Sequence, residues 1–246
     1  MSLNLTEIPW YKVNPKDGSE LVLVPGGWFW MGSGDEDPDA LGSEKPRHLH
    51  YVEPFYFGIF CVTVAQFRVF VKETKYDAGS DWQKDPDEHP VRCVGWHDAA
   101  VYCEWAGLRL PAEAEWELAA RGYGALKYPW GNDWEEGRRV CWDRQKRPKG
   151  NTAPAFAHPD GVSLFGGFQQ SGNLWEWCAD AWDGKVYARY AQGDFSVPSQ
   201  GQDRVMRGGS WYYDHPSYFR GSFRVNYLPV LRRDSRGFRA AGTVTF

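Results

Sequence analysis

The sequence contains no apolar run long enough to cross a membrane as a helix. Its N-terminal stretch, MSLNLTEIPWYKVNPKDG, has no basic start followed by an apolar stretch, so no secretory leader is indicated. Cysteine is scarce: the 5 cysteines show no Cys-x-x-Cys spacing, which disfavours a zinc site and a dense disulfide framework. We therefore expect a cytoplasmic protein whose cysteines are small buried side chains.

An excess of positive charge is also missing. The chain has 28 Lys and Arg residues against 32 Asp and Glu residues, a net charge of -4. This balance predicts that the protein binds neither nucleic acid nor an acidic membrane surface. Arginines do cluster between Arg220 and Arg239, where their bidentate geometry favours a role in bracing the fold against carboxylates and carbonyl groups.

Aromatic residues, in contrast, are abundant. They make up 17% of the chain, which also has 27 glycines and 16 prolines, while the mean hydropathy of -0.59 is hydrophilic. This combination predicts a loop-rich fold held together by large buried rings rather than by long aliphatic helices. No internal repeat or linker divides it, so we expect a single domain over residues 1–246.

Short elements can be placed by pattern. We predict a strand pair over 21–31, broken at Pro25–Gly27, and a strand over 48–60. Three helices are predicted: 64–74 with a Thr63–Gln66 capping box, 98–105 with Asp98 as N-cap, and 111–121 beginning at Pro111. Beyond Gly122 we expect turns around tryptophans rather than helices. His48 and His50 share one face of their strand, but the sequence offers no third ligand for a metal.

The segment from Arg204 to Ala241 alternates fixed-looking residues with positions whose chemistry looks unconstrained. The fixed frame consists of Arg207, Gly208, Gly209, Ser210, Trp211, Arg220, Arg224, Arg236, Gly237, Phe238 and Arg239. The interspersed positions are Tyr212, Tyr213, Asp214, His215, Ser217, Tyr218, Val225, Asn226, Tyr227, Leu228, Val230, Leu231, Arg233, Asp234 and Ser235. A rigid frame that carries arbitrary side chains is typical of a binding surface, whereas a catalytic site needs particular groups held in place. The alternative, a segment packed into the core, is disfavoured because its apolar residues have no regular period.

Several motifs occur in an order that resembles the formylglycine-generating enzyme family. They are MGS (31–33), VTVAQF (62–67), the run 89–122 that ends in GLRLPAEAEWELAARG, YPWGN (128–132), SGNLWEWC (171–178) and RVMRGGSW (204–211). The resemblance extends from about Leu21 to Ala241. It implies an α+β domain, a variant of the C-type lectin fold with little regular secondary structure, in which the N- and C-terminal strands lie close together.

The enzymes of this family oxidise a substrate cysteine to formylglycine at a copper ion held by two cysteines. The resemblance places those cysteines at Tyr213 and Tyr218, and tyrosine cannot supply the soft thiolate that copper(I) selects. We therefore predict that the chain is not an enzyme, binds no copper and requires no cofactor. We also expect replacement of both tyrosines by serine to leave folding almost unaffected.

The resemblance further implies one structural calcium ion. Its ligands would be the side chains of Gln169 and Glu176 and the main-chain carbonyls of Gly172 and Leu174, a set of oxygen donors that suits calcium. Gln169 stands where the family usually has asparagine or aspartate. The other calcium site of the enzymes is expected to be lost.

A second branch of the family is more similar in the C-terminal segment: the variable proteins of diversity-generating retroelements. In these, adenine-directed mutagenesis rewrites codons, commonly AAC, and creates a hypervariable patch on the lectin-like fold. Changing either adenine of AAC never yields Lys, Glu, Gln, Met or Trp, and none of these occurs at the interspersed positions. The resemblance therefore implies a monomeric, non-catalytic ligand-binding protein whose ligand is another protein, recognised by tyrosines and small polar residues as in antibody loops. The alternatives are an oxidoreductase of the family with altered chemistry and an accessory subunit with one fixed partner.

Overall fold

The structure is a computed structural model that describes residues 8–135 and 152–245. Its strands are β1 (Tyr11–Val13), β2 (Glu20–Val24), β3 (Gly27–Met31), β4 (His48–Val52), β5 (Phe55–Gly58), β6 (Trp175–Ala181), β7 (Arg204–Arg207), β8 (Arg224–Tyr227), β9 (Arg236–Gly237) and β10 (Ala241–Thr243). Its α-helices are α1 (Val64–Thr74), α2 (Trp96–Trp105), α3 (Glu113–Arg121) and α4 (Val186–Tyr190). Long connections join these short elements, as the glycine and proline content predicts.

One sheet joins the two ends of the described chain. Its strand order is β1-β2-β5-β10, and β10 pairs antiparallel with β5, with Ala241 opposite Phe57 and Thr243 opposite Phe55. N- and C-terminal strands therefore lie close together, as the family resemblance implies.

Strands β3 and β4 form a separate two-stranded sheet. The predicted strand pair over 21–31 is therefore wrong in its pairing, since β2 pairs with β5 whereas β3 pairs with β4. Gly26 makes this switch between sheets possible. Its φ is +72°, and a Cβ there would lie 2.4 Å from the carbonyl oxygen of Val52, so only glycine fits.

The third sheet, in the order β8-β7-β6-β9, contains most of the C-terminal segment. β9 is parallel to β6, with Arg236 opposite Trp175 and Gly237 opposite Glu176. β7 and β8 pair antiparallel, with Arg207 opposite Arg224. Four frame residues, Arg207, Arg224, Arg236 and Gly237, thus lie on the strands of this sheet.

Helix α1 has the predicted bounds, and its capping box is confirmed because Thr63 accepts a hydrogen bond from the Gln66 main chain. The predicted N-cap of α2 is wrong: the helix begins at Trp96, and Asp98 reaches back to accept from the Gly95 N–H at 2.7 Å. Helix α3 begins two residues after Pro111, at Glu113. The short helix α4 was not expected at all, since its five residues are too few for a helical period to be recognised.

The core is aromatic. Trp116, Trp175 and Trp177 are fully buried, and one large cluster packs rings from α1, α2 and β6 together. The indole N–H groups of two of them are bound: Trp177 donates to the Val94 carbonyl at 3.1 Å, and Trp116 donates to Glu176 at 2.6 Å. This core supports the sheet that holds the C-terminal segment.

Candidate functional site

The fixed frame of the C-terminal segment is buried throughout, from Arg207 to Trp211 and from Arg236 to Arg239. Four of its arginines are 0–1% exposed: Arg207, Arg220, Arg224 and Arg239. A buried guanidinium needs a paired carboxylate, because an isolated charge is costly to remove from water. The sequence alone could not show which carboxylates these are.

Helix α3 supplies two of the carboxylates. Arg224 forms a bidentate pair with Glu113, with both N···O distances at 2.6 Å. Arg207 bridges two acids, donating to Glu117 at 2.5 Å and to Glu113 at 3.2 Å. Burial raises the pKa of Glu117, but Arg207 and Arg121 more than offset this and lower it to about 2. Ion pairs therefore hold helix α3 against strands β7 and β8.

Two more distant carboxylates hold the rest of the frame. Arg220 pairs with Glu44, donating at 2.6 and 2.9 Å, across 176 positions of sequence. Arg239 pairs with Glu176 of β6, with both distances at 2.6 Å. The expectation that the C-terminal arginines brace the fold is confirmed for these positions. The individual arginine–glutamate pairs could not be predicted from sequence, because no local pattern links residues so far apart.

Glycine completes the frame at the turn after β7. Gly209 has φ of +75°, and a Cβ there would lie 2.7 Å from the ring of Phe219 and 2.8 Å from the carbonyl oxygen of Tyr218. Any side chain would therefore push the loop away from the core.

The interspersed positions are all at least partly exposed, in contrast to the frame. The exposed ones are Tyr212, Asp214, His215, Leu228, Val230, Arg233 and Asp234. The half-buried ones are Tyr213, Ser217, Tyr218, Val225, Asn226, Tyr227, Leu231 and Ser235. The segment thus divides into a buried support and an outward set of side chains, and Val230 at 68% is its most exposed large apolar side chain.

The loop that carries the second half of these positions is fixed by its main chain. The Pro229 carbonyl accepts from the Trp96 N–H at 2.8 Å, and the Arg233 carbonyl accepts from the Cys93 N–H at 3.0 Å. The indole of Trp211 donates to the Asp234 carbonyl at 3.2 Å. Main-chain contacts of this kind are independent of the side chains at the positions themselves.

Tyrosines connect the two halves. The rings of Tyr213 and Tyr218 are 4.4 Å apart, and Tyr213 also contacts Tyr212 at 5.8 Å. Burial, followed by a hydrogen bond with Tyr227, raises the pKa of Tyr213. Tyrosines that precede β8 therefore meet a tyrosine of β8 in one cluster.

Tyr213 and Tyr218 also pack against buried aromatic residues. Tyr213 packs edge-on against the buried Trp175 at 5.5 Å, and Tyr218 packs against Phe223 at 5.3 Å. The expectation that serine at both positions leaves folding almost unaffected is therefore not supported, because the inner faces of these rings cover the core. Their two side-chain oxygens offer no thiolate to copper(I).

The two side chains expected to bind calcium are already engaged. Both Glu176 oxygens accept from Arg239, and one of them also accepts from Trp116. The Gln169 side-chain oxygen accepts from Asn173 at 2.5 Å, while its amide donates to the Pro154 carbonyl at 2.8 Å. A calcium ion at Glu176 would face the Arg239 guanidinium, so these residues do not fit the ion.

His48 and His50 lie on the inner face of β4, with ring centroids 5.8 Å apart. Tyr187 and Tyr190 contact the two rings, and burial lowers the pKa of both imidazoles. Among the described residues, no group of three or more His, Cys, Asp or Glu side chains could hold a metal ion. In the same residues no helix is long and apolar enough to span a membrane.

Comparison with known proteins identifies relatives along almost the whole chain. The model of the sulfatase-modifying factor enzyme 1-like domain matches residues 9–244. A formylglycine-generating enzyme of Thermomonospora curvata is 34% identical, covering 90% of this chain and 92% of the relative. An inactive C-alpha-formylglycine-generating enzyme 2 of Mus musculus is 32% identical, covering 91% and 85%.

Solved structures share the fold. PvdO from Pseudomonas aeruginosa superimposes with a TM-score of 0.81 at 24% identity, covering 95% of this chain and 98% of that one. Treponema denticola variable protein 1 superimposes with a TM-score of 0.73 at 21% identity, covering 95% and 99%.

Proposed function

The chain belongs to the sulfatase-modifying factor family and has its C-type lectin-like α+β fold, and from this premise we propose that it is a non-catalytic ligand-binding protein. Its binding surface consists of the fifteen interspersed positions between Tyr212 and Ser235. The ligand is another protein, and the surface is a hypervariable one produced by a diversity-generating retroelement.

One observation carries this proposal: every interspersed position is at least partly exposed, and every residue of the frame is buried. The frame is held by carboxylates of α3, of β6 and of Glu44, all outside the segment. Side chains at the interspersed positions can therefore change without breaking these ion pairs. A surface built in this way supports diversification of its binding chemistry.

The side chains present suit a protein ligand. Tyr212, Leu228 and Val230 offer exposed apolar area at 46%, 45% and 68%, and tyrosine combines a large contact area with little rotamer entropy. Asp214, Arg233 and Asp234 add charges of both signs around them. Apolar anchors within a polar rim are the usual composition of protein interfaces.

The lack of catalysis rests on the copper position. Tyr213 and Tyr218 occupy the places where the resemblance puts the two metal-binding cysteines, and no cysteine follows Cys178 in the sequence. Purified protein should therefore bind no copper(I) and consume no oxygen in the presence of a cysteine-containing peptide. A stoichiometric copper(I) complex, or oxygen uptake that depends on the peptide, would favour an oxidoreductase with altered chemistry.

Hypervariability has a direct test. We expect sequences of this locus from several isolates to differ mainly at the fifteen interspersed positions, without Lys, Glu, Gln, Met or Trp among them. The frame positions in the same reads serve as the internal control. Differences spread evenly over the chain, or identical sequences at all fifteen positions, would instead favour an ordinary binding protein or an accessory subunit with a fixed partner.

A further inference from the structure

One buried arginine of the frame differs from the others. Arg207, Arg220, Arg224 and Arg239 each form an ion pair with a buried carboxylate. Arg236 is 6% exposed, yet among the described residues it has no ion pair, and its Nε and Nη1 atoms have no hydrogen-bond partner. Tyr227 is its one hydrogen-bonding neighbour among the described side chains. A buried guanidinium with two unpaired nitrogens is uncommon, because each unpaired donor loses its hydrogen bonds to water.

An aromatic ring covers this guanidinium. It lies over the ring of Tyr227, with the central carbon 3.5 Å from the ring centroid. In the parallel pairing of β9 and β6, the main chain of Arg236 lies opposite that of Trp175, whose ring contacts Tyr213. A cation–π contact offsets only part of the cost of burying the charge. Burial accordingly lowers the pKa of Arg236.

The location places Arg236 inside the proposed binding surface. Ser235, which precedes it, and Tyr227, which covers it, are both half-buried positions of that surface. Two carboxylates that contact the C-terminal segment have other partners: Asp203 accepts from Asn226, and Asp98 is paired with Arg232.

We propose that Arg236 is an anion-accepting subsite of this surface and that it takes a carboxylate group of the protein ligand. The subsite rests on the proposed binding role of the C-terminal segment. A carboxylate would give the guanidinium the charged acceptor that each of the four other buried frame arginines finds within the chain. Both an acidic side chain and a free C-terminus carry a carboxylate, so the experiment must distinguish these two sources.

Side-chain NMR of the uniformly ¹⁵N-labelled protein provides the test. The Nε–H signal of Arg236 is assigned by its loss in Arg236→Lys and then followed during titration with three short peptides of otherwise matched sequence. One peptide has an internal glutamate and an amidated end, one has glutamine and a free terminal carboxylate, and one has glutamine and an amidated end. Arg68, half-exposed on α1 and paired with Asp87, is the control signal, assigned with Arg68→Lys.

We expect a saturable shift of the Arg236 signal with at least one carboxylate peptide, with a Kd on the order of 1 mM, and none with the peptide lacking a carboxylate. Which of the two carboxylate peptides acts identifies the source. In Arg236→Gln the same titration, followed at the Trp175 indole N–H, should weaken by about tenfold or more. If Arg236→Gln does not fold, the wild-type titration decides alone.

Absence of a saturable shift in wild type, or an equal shift at Arg68, overturns the subsite. Such a result leaves the proposed function standing if isolates still differ at the interspersed positions. Conversely, a saturable shift at Arg236 together with identical sequences in all isolates would keep the subsite and remove hypervariability.

Discussion

Arg207 connects the C-terminal segment to helix α3 through two buried carboxylates. It is 0% exposed and links Glu113 and Glu117 of α3 to strand β7. We expect Arg207→Met to lower the free energy of unfolding by about 3–5 kcal/mol, because it leaves buried carboxylates without their partner. The measurement is equilibrium unfolding in urea.

Arg233→Met is the matched control for that experiment. Arg233 is exposed, so its loss should change stability by no more than about 0.5 kcal/mol. Equal effects of the two substitutions would mean that the buried pairs do not hold the segment.

Tyr213 and Tyr212 are adjacent but differ in what their rings touch. Tyr213 packs against Trp175 and Tyr218, whereas Tyr212 is 46% exposed. We expect Tyr213→Ser to destabilise by about 1–3 kcal/mol through lost burial and Tyr212→Ser by less than about 0.5 kcal/mol. Thermal unfolding of the two variants checks this. If both melt like the wild type, Tyr213 belongs wholly to the outer surface, as the sequence suggested.

Helix α2 shows how an element can carry part of the surface. Asp98, in its first turn, accepts from the Gly95 N–H at 2.7 Å, from the Tyr76 hydroxyl at 2.9 Å and from Arg232 at 2.6 Å. The start of the helix is therefore tied to the loop of the C-terminal segment. The Pro229 carbonyl, which accepts from the Trp96 N–H, reinforces the same junction.

Asp98→Ala should thus weaken both the start of helix α2 and its contact with the loop of the C-terminal segment. We expect a loss of about 1–3 kcal/mol, the sum of a lost cap and a partly exposed ion pair, and faster hydrogen exchange at the Trp96 amide. Glu104→Ala, on the exposed side of the same helix, is the control. Unchanged exchange at Trp96 in Asp98→Ala would show that the loop is held without this contact.

Elements could be predicted from sequence to the extent that their signals are local. The start of helix α1 could be predicted because Thr63 and Gln66 stand three positions apart in the sequence, which is the spacing of a capping box. The start of α2 could not be predicted correctly, because an aspartate near a helix start suits two positions. It can be the N-cap, or it can be the third helical residue and accept a hydrogen bond from the N-cap main chain, as Asp98 does. The pairing of β6 with β9 joins Trp175 to Arg236 across 61 positions, and two-residue strands have no period to recognise.

At the scale of the whole molecule, the candidate surface follows from the sheet that supports it. β6 and β9 lie in the middle and at one edge of that sheet, and helix α3 packs against it. The division into buried frame and outward positions was readable from sequence, since glycine, tryptophan and arginine recur where the backbone and ion pairs need them. The lack of an ion pair at Arg236 among the described residues could not be predicted, because it depends on where carboxylates lie in space rather than on any residue nearby in sequence.

The stability of the whole molecule should also depend on pH through the histidines of β4. Burial lowers the pKa of His50 from 6.5 to about 4, and the pKa of His48 is lowered in the same direction. The unfolded chain therefore binds more protons than the folded one between pH 6.5 and 4, so stability is lost as the pH falls through that range. Asp180 acts in the opposite sense, since burial raises its pKa to about 7 and the folded state keeps its proton.

His50→Phe separates these contributions, because its neighbours Phe29, Tyr190 and Phe195 can accommodate a ring of that size. Between pH 7 and pH 5, the His50 term alone should remove about 2 kcal/mol from the free energy of unfolding, and the variant should lose that much less than the wild type. Urea unfolding at the two pH values measures the difference, with His215→Phe on the exposed surface as the control. Equal pH dependence in the wild type and His50→Phe would mean that the imidazole accepts a proton without leaving the fold, and that the aromatic cluster around it opens to water below neutral pH.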